Sequence, residues 1–259
     1  MIPDQRRDAL LAALQRSGVL SVKELCDLLH VSHMTIRRDI TALESEGLVR
    51  SVPGGVRLSR SIRSEPTYQD KSSANVESKQ AMATLAAGML HNGQTVFLDA
   101  GTTLGDVVPR LSEISDLTVV TNDLTTAVRL GEVDGVDVFQ VGGHVDSRNR
   151  STVGSFAADM LRHFNFDLAL ISTSSWDLDR GVTTPSEFKV AVKQVAMSKS
   201  ASNVLVAGSE KYGLVGTFHV ADLSEFDRVF TDSRFPPREI DRLRAAGLEV
   251  ELAEGRGLE

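Results

Sequence analysis

The run VSHMTIRRD places Arg37 and Arg38 just after Ser32, His33, Met34 and Thr35. A guanidinium can grip the two acceptors of a guanine edge, and hydroxyls suit phosphate oxygens. The cluster therefore carries the chemistry of reading a DNA major groove. A second cluster, Asp99-Ala100-Gly101-Thr102-Thr103, has anion chemistry. Its glycine lets backbone approach a charged group closely, and two hydroxyls and the N–H groups of a starting helix supply donors. Phosphate or carboxylate fits such a turn. Neither GxxxxGK[ST] nor GxGxxG occurs anywhere, so a nucleotide-hydrolysis loop and a dinucleotide fingerprint are absent.

Other polar loops can join that turn. They are Thr121-Asn122-Asp123, Gly142-Gly143 with Arg148 and Arg150, and residues 172–184, which hold the single Trp. Thr184-Pro185-Ser186-Glu187 reads as a capping box opening a helix that carries Glu187, Lys189 and Lys193, and Lys211 adds an ammonium group. The same Glu187, Lys189 and Lys193 also fit a surface ladder at i,i+4 spacing. Asp99, Glu187 and Lys193 could furnish the carboxylate base and electrophile of a sugar-phosphate isomerase. That is the enzyme alternative, in which the DNA-reading segment is an attached head. No residue is assigned a catalytic role in the leading reading. Six scattered histidines make no metal-ligand spacing, and Cys26 has no partner for an internal disulfide. No cofactor is expected, and His144 reads as a surface histidine.

The elements that must position these groups follow from periodicity. Residues 5–16 and 33–46 read as helices, and Ser21-Val22-Lys23-Glu24 is a capping box for a helix between them. Ser32 caps the helix from 33, and Gly47 stops it. Two extended runs, 48–52 and 56–58, flank Pro53-Gly54-Gly55 as a hairpin whose Arg50 and Arg57 suit a wing near the DNA backbone. Residues 1–58 thus form a winged helix-turn-helix, and the Ser-rich stretch 59–75 reads as a linker. Residues 76–259 alternate helix and strand. Helices are expected over 77–91, 103–111, 123–131, 155–164, 185–199 and 236–246. Strands are expected over 95–99, 117–121, 136–141, 167–172, 203–207, 228–231 and 248–252. This is an α/β pattern with a largely parallel, Rossmann-like sheet and helices on both faces. Ligands of such sheets bind beyond the strand carboxyl ends, where the polar loops gather.

Composition narrows the class. Hydrophobic residues are 41% and charged residues 24%, enough apolar material for a packed core and against disorder. The net charge of −7 is uneven: residues 1–63 have ten bases against seven acids, so a basic head precedes an acidic body. No apolar run approaches the ~20 residues of a membrane span. The first residues mix acids with bases and have no signal core, so a cytoplasmic protein without membrane contact is expected.

The segment SVKELCDLLHVSHMTIRRDITALESEGLVRSVPGGV resembles the N-terminal domain of the DeoR/GlpR family of bacterial transcriptional regulators. LDAGTT, VTND, VGGHVDSRNRSTVG, GVTTPSEFKVAVK and VAGSEKYG resemble that family's C-terminal sensor domain, whose fold is similar to ribose-5-phosphate isomerase and the CoA transferases. The wording ISTSSWDLDRGVTTPSEFKVAVK is nearest a YgbI-type subgroup and suggests genes for four-carbon sugar-acid breakdown. Two departures are Cys26, where Ala is usual, and Gly208, where an Asp usually precedes the Ser-x-Lys segment. The resemblance implies a repressor of carbohydrate catabolism that binds operator double-stranded DNA and a phosphorylated sugar or sugar acid. The DNA contacts would come from Ser32, His33, Met34, Thr35, Arg37, Arg38, Arg50 and Arg57. The effector contacts would come from Asp99, Gly101, Thr102, Thr103, Thr121, Asn122, Gly142, Gly143, Arg150, Glu187, Lys189, Lys193 and Lys211. Two heads must meet successive major grooves ~34 Å apart, so a homo-oligomer, a dimer or tetramer, is expected.

Overall fold

A computed structural model describes residues 2–45, 48–58 and 61–254. The chain forms two compact units, Met1–Arg63 and Ser64–Glu259.

In the first unit, α1 (Pro3–Ser17), α2 (Val22–Leu29) and α3 (His33–Ser45) are followed by a hairpin of β2 (Val49–Val52) and β3 (Gly55–Leu58). A short strand β1 (Val19–Leu20) adds to the hairpin in the antiparallel order β1-β3-β2. Leu10 and Leu14, Leu25 and Leu29, and Ile36, Ile40 and Leu43 meet in one core because each set recurs at helical spacing. The predicted capping box forms: Ser21 Oγ accepts from Glu24 N at 3.2 Å, and Glu24 Oε2 accepts from Ser21 N at 2.8 Å. Ser32 Oγ likewise accepts from Thr35 N at 3.3 Å at the start of α3. The expected helix stop at Gly47 lies outside the described residues. Gly55 is required by close approach, since a Cβ there would sit 2.3 Å from the Leu20 carbonyl oxygen.

The second unit opens with α4 (Tyr68–Ser73) and α5 (Val76–Ala87). Its chain then runs through β4 (Thr95–Leu98), α6 (Thr102–Gly105), β5 (Leu117–Thr121), α7 (Leu124–Leu130) and β6 (Val136–Gln140). A hairpin of β7 (His144–Asp146) and β8 (Ser151–Val153) leads to α8 (Ser155–Leu161) and β9 (Phe166–Ser172). After β10 (Ser175–Asp177) and β11 (Gly181–Thr184) come α9 (Phe188–Ser198), β12 (Ser200–Val206), β13 (Phe218–Ala221), β14 (Arg228–Asp232), α10 (Pro237–Ala245) and β15 (Glu249–Ala253). The main sheet has the order β15-β14-β12-β9-β4-β5-β6, and all its neighbours are parallel. Successive residues along each strand supply opposite faces. Val96 and Leu98 pack with Met82, Ala86 and Leu104, whereas Phe97, Ala169 and Leu205 pack with Ala157, Val192 and Leu243. The chain leaves β4 in one direction toward β5 and β6, then returns to β9 on its other side. The crevice between β4 and β9 is therefore the topological switch point, the preferred ligand position of an open parallel sheet.

Four expectations differ from the structure. Residues 64–75, read as linker, lie in the second unit, where Thr67 and Asp70 form a capping box for α4. The helix expected over 103–111 shrinks to α6 plus a tight turn at Val108–Arg110, because Pro109 lacks the N–H that a continuing helix needs. The expected capping box before α9 does not form. Thr184 is held in β11 and its hydroxyl accepts from Ser186 N at 3.3 Å, so the helix starts at Phe188 without a side-chain cap. Residues 172–184 are not one polar loop but contain β10 and β11, which pair with each other, and β11 pairs in turn with β13, in an antiparallel sheet. Trp176 is wholly buried there, stacked on Phe235 at 5.2 Å, so it is core rather than crevice lining.

Candidate functional site

The first site is one face of α3. Ile36, Asp39, Ile40 and Leu43 are buried, which turns His33, Met34, Arg37 and Arg38 outward, with Thr35 half-buried between them. Met34 is 66% exposed and offers apolar surface of the kind that meets a thymine methyl. The helix is fixed from beneath: Arg6 Nε and Nη2 donate to the buried Asp39 carboxylate at 2.5 and 3.0 Å. In the hairpin, Arg50 and Arg57 are exposed and directly opposed across β2 and β3. Like charges facing each other destabilise a strand pair. A phosphate backbone would remove that cost. Among the described residues, no carboxylate forms an ion pair with Arg37, Arg38, Arg50 or Arg57.

The second site is the switch-point crevice. The Asp99 carboxylate, at the end of β4, accepts from Ser172 N at 3.0 Å and Ser172 Oγ at 2.9 Å. It also ion-pairs with Lys193 of α9, whose ammonium donates to the Ser172 carbonyl at 2.8 Å. Gly101 then passes so close to Ser172 that a Cβ would lie 3.0 Å from its hydroxyl. On the other side, Asn122 Oδ1 accepts from Ala100 N at 2.8 Å and Asp123 Oδ2 accepts from Gly101 N at 3.2 Å. Thr121 Oγ1 accepts from Asp123 N at 3.1 Å below them. These bonds hold the turn, leaving Gly101 and Thr102 half-buried at its rim and Thr103 buried.

Lys189, one turn before Lys193 on α9, belongs to a further group of ammonium ions. Lys189 and Lys71 donate to the buried Glu65 carboxylate at 2.8 and 3.2 Å. Burial alone pushes the Glu65 carboxyl up, but the charges and hydrogen bonds of Lys189 and Lys71 outweigh it and hold it at about 2. Burial pushes the Lys211 ammonium down; Glu210 and Glu65 oppose this, while the charges of Lys193 and Lys189 add to it. Burial also lowers Lys71, with Lys189 and Lys211 among its repelling neighbours. Thus Lys71, Lys189, Lys193 and Lys211 lie close enough to repel one another, and Glu65, Asp99 and Glu210 offset part of that repulsion. Such a place has the chemistry to accept an anion.

Glu65 carries a pH consequence. A carboxyl lowered to about 2 from its ordinary 4.5 stabilises the folded state above pH 4.5, and that stability disappears as pH falls toward 2. The contribution is roughly 3 kcal/mol. In urea unfolding of the full chain followed between pH 6 and 2.5, Glu65→Gln should show a visibly flatter decline than the natural sequence. Identical pH slopes would show that the bridge contributes nothing.

Several predicted residues do not line the crevice. Asp99, Asn122 and Lys193 are buried and bonded within the protein, so they shape the turn from behind. Glu187 is exposed at the start of α9, and the i,i+4 ladder does not form, since Lys189 pairs with Glu65 and Lys193 with Asp99. Gly143 has φ +140°, and a Cβ there would lie 3.1 Å from Ala157, a packing task, while Gly142 is exposed. Arg150 lies 4.6 Å over the Tyr68 ring, beside α4. At Gly208 the space beside the missing side chain is taken by the Glu210 carboxylate. Sequence reasoning missed Glu65 and Lys71. The Thr67-x-x-Asp70 box was the available signal that this stretch is folded. Among the described residues no group of His, Cys, Asp and Glu could hold a metal ion. No helix among them is long and apolar enough to cross a membrane.

An exposed basic helix face with a basic wing, joined to a parallel-sheet unit, is the make-up of a DNA-binding transcriptional regulator. The DeoR-like helix-turn-helix domain family matches residues 6–61, and the DeoR C terminal sensor domain family matches residues 74–233. The HTH-type transcriptional regulator YgbI of Escherichia coli is 43% identical over 91% of this chain and 92% of its own. The HTH-type transcriptional repressor GlcR of Bacillus subtilis is 29% identical over 98% of each chain. A solved D-ribose-5-phosphate isomerase in complex with phospho-erythronic acid is similar over 52% of each chain, at TM-score 0.39 and 14% identity. The chain belongs to the DeoR family of transcriptional regulators.

Proposed function

We propose that this regulator represses carbohydrate-catabolism genes and that a phosphorylated sugar or sugar acid controls it from the crevice between β4 and β9. The observation that supports the reading is the group of Lys71, Lys189 and Lys211, which repel one another next to the buried Lys193–Asp99 pair at the sheet's switch point. Ammonium groups and hydroxyl donors together suit a phosphate better than a neutral sugar. Repression is supported by the name of the relative GlcR. In this reading α3 enters the major groove, with Arg37 and Arg38 on base edges and Arg50 and Arg57 on the backbone. The protein works in the cytoplasm as a homo-oligomer, so that paired heads meet successive grooves. The effector needs only a different affinity for the two arrangements of those heads.

The test is operator release in a gel shift, titrated with a panel of phosphorylated sugars and sugar acids. Thr102→Ala should move the effective concentration of the active compound up about tenfold, the worth of one hydrogen bond to a charged group. Its DNA affinity without ligand should not change. An unaltered dose–response would move the ligand away from this turn.

A further inference from the structure

We propose that Glu65 is a built-in competitor of the effector: in the ligand-free chain its carboxylate occupies the ammonium groups of Lys71 and Lys189, and an incoming dianion displaces it. The proposal rests on the reading of the crevice as the effector site. Its basis is geometric. Glu65 lies two residues beyond Arg63, the last residue of the first unit. Its side chain is 7% exposed, yet the partners that keep it there are two lysines rather than backbone donors. One of them, Lys189, stands on α9 a single turn before Lys193, which holds the Asp99 end of the crevice. The other, Lys71, stands on α4 and also donates to Asn149 Oδ1 in the β7–β8 turn. The charge of Glu65 is felt by Lys211 as well. One carboxylate therefore serves two ammonium groups, Lys71 and Lys189, at once.

Two consequences follow from competition between anions for the same cations. First, every anion that binds there bears the same cost of displacing Glu65, and a phosphate dianion offsets it better than a monoanionic acid through its stronger bonds to two ammonium groups. Second, ligand binding releases the segment around Glu65, the first part of the second unit after the head. Pro66, whose φ is fixed, and the α4 cap at Thr67 follow Glu65 directly, so its release is felt at the start of α4. Binding at the crevice is thereby coupled to the tether of the DNA-reading unit, as linkage between a ligand and a displaced contact requires.

The experiment uses the full chain at fixed ionic strength, with inorganic phosphate as probe and acetate as the carboxylate control, both followed by calorimetry. Glu65→Gln should bind phosphate at least fivefold more tightly than the natural sequence, with acetate gaining by a similar factor. In the natural chain, hydrogen exchange over residues 64–70 should quicken when phosphate is added. This second measurement stands even if the substitution harms folding. Phosphate affinity that is unchanged or weaker in Glu65→Gln, or exchange that slows at 64–70, overturns the competitor role while leaving the crevice as the effector site. A natural chain that binds neither phosphate nor any phosphorylated sugar overturns the crevice reading and this proposal with it.

Discussion

Lys193→Met should destabilise the second unit by about 3–5 kcal/mol, the usual cost of stranding one partner of a buried ion pair. Lys193 and Asp99 are 6% and 2% exposed, so water cannot replace the lost ammonium. The remaining carboxylate would keep its two bonds from Ser172 but lose its counter-charge. The ends of β4 and β9 would no longer be tied to α9. Urea unfolding of the second unit reads the change as a large fall in midpoint. The double substitution Asp99→Asn with Lys193→Met should recover much of the loss, because it removes the stranded charge as well. If Lys193→Met unfolds within about 1 kcal/mol of the natural sequence, well below the range for such pairs, the ion pair does not hold the switch point together. The enzyme alternative gave Asp99 and Lys193 reactive roles. Their burial and mutual bonding give them the task of positioning the Gly101 turn instead.

The second large effect concerns DNA. Arg37→Ala and Arg38→Ala should each weaken operator binding, by about 1–3 kcal/mol where the guanidinium grips a guanine in two places. Fluorescence anisotropy with a labelled operator duplex would read this as a loss of about fivefold to 150-fold. Arg50→Ala and Arg57→Ala should instead weaken all duplexes alike and reduce the slope of log affinity against log salt by about one each, as phosphate contacts do. All four side chains are exposed, so none of these changes should unfold the head. Arg6→Ala differs from them. It leaves the buried Asp39 without its main partner, and its damage to DNA binding should come with a lower melting temperature. Unchanged affinity in both Arg37→Ala and Arg38→Ala would remove α3 from the groove.

Local signals made much of this molecule legible. The spacing of Leu25, Leu29, Ile36, Ile40 and Leu43 left one order of three packed helices, and the capping groups Ser21 and Ser32 fixed where two of them begin. In the second unit, short apolar runs between helical segments marked the parallel sheet, since a strand buried on both faces cannot alternate with polar residues. The runs 117–121 and 95–98 needed no tertiary knowledge. Pro109 was a readable warning that the helix after Gly101 is short. The Thr67-x-x-Asp70 box was another, hidden by a Ser-rich composition that looked like linker.

What the linear order determined was the set of elements and the chemistry they carry: exposed guanidinium groups on one helix, and hydroxyls with a glycine after a strand. Both depend on neighbours within a few residues, where backbone geometry and side-chain period suffice. Tertiary structure alone decided which charges meet. Glu65 lies 124 residues from Lys189, and Asp99 lies 94 from Lys193. Those partners are chosen by the point at which the sheet reverses its winding, which brings the ends of β4 and β9 and the face of α9 together. No short-range rule specifies it, because a partner can offset the cost of desolvating a buried charge only after the whole sheet has closed and brought the two together.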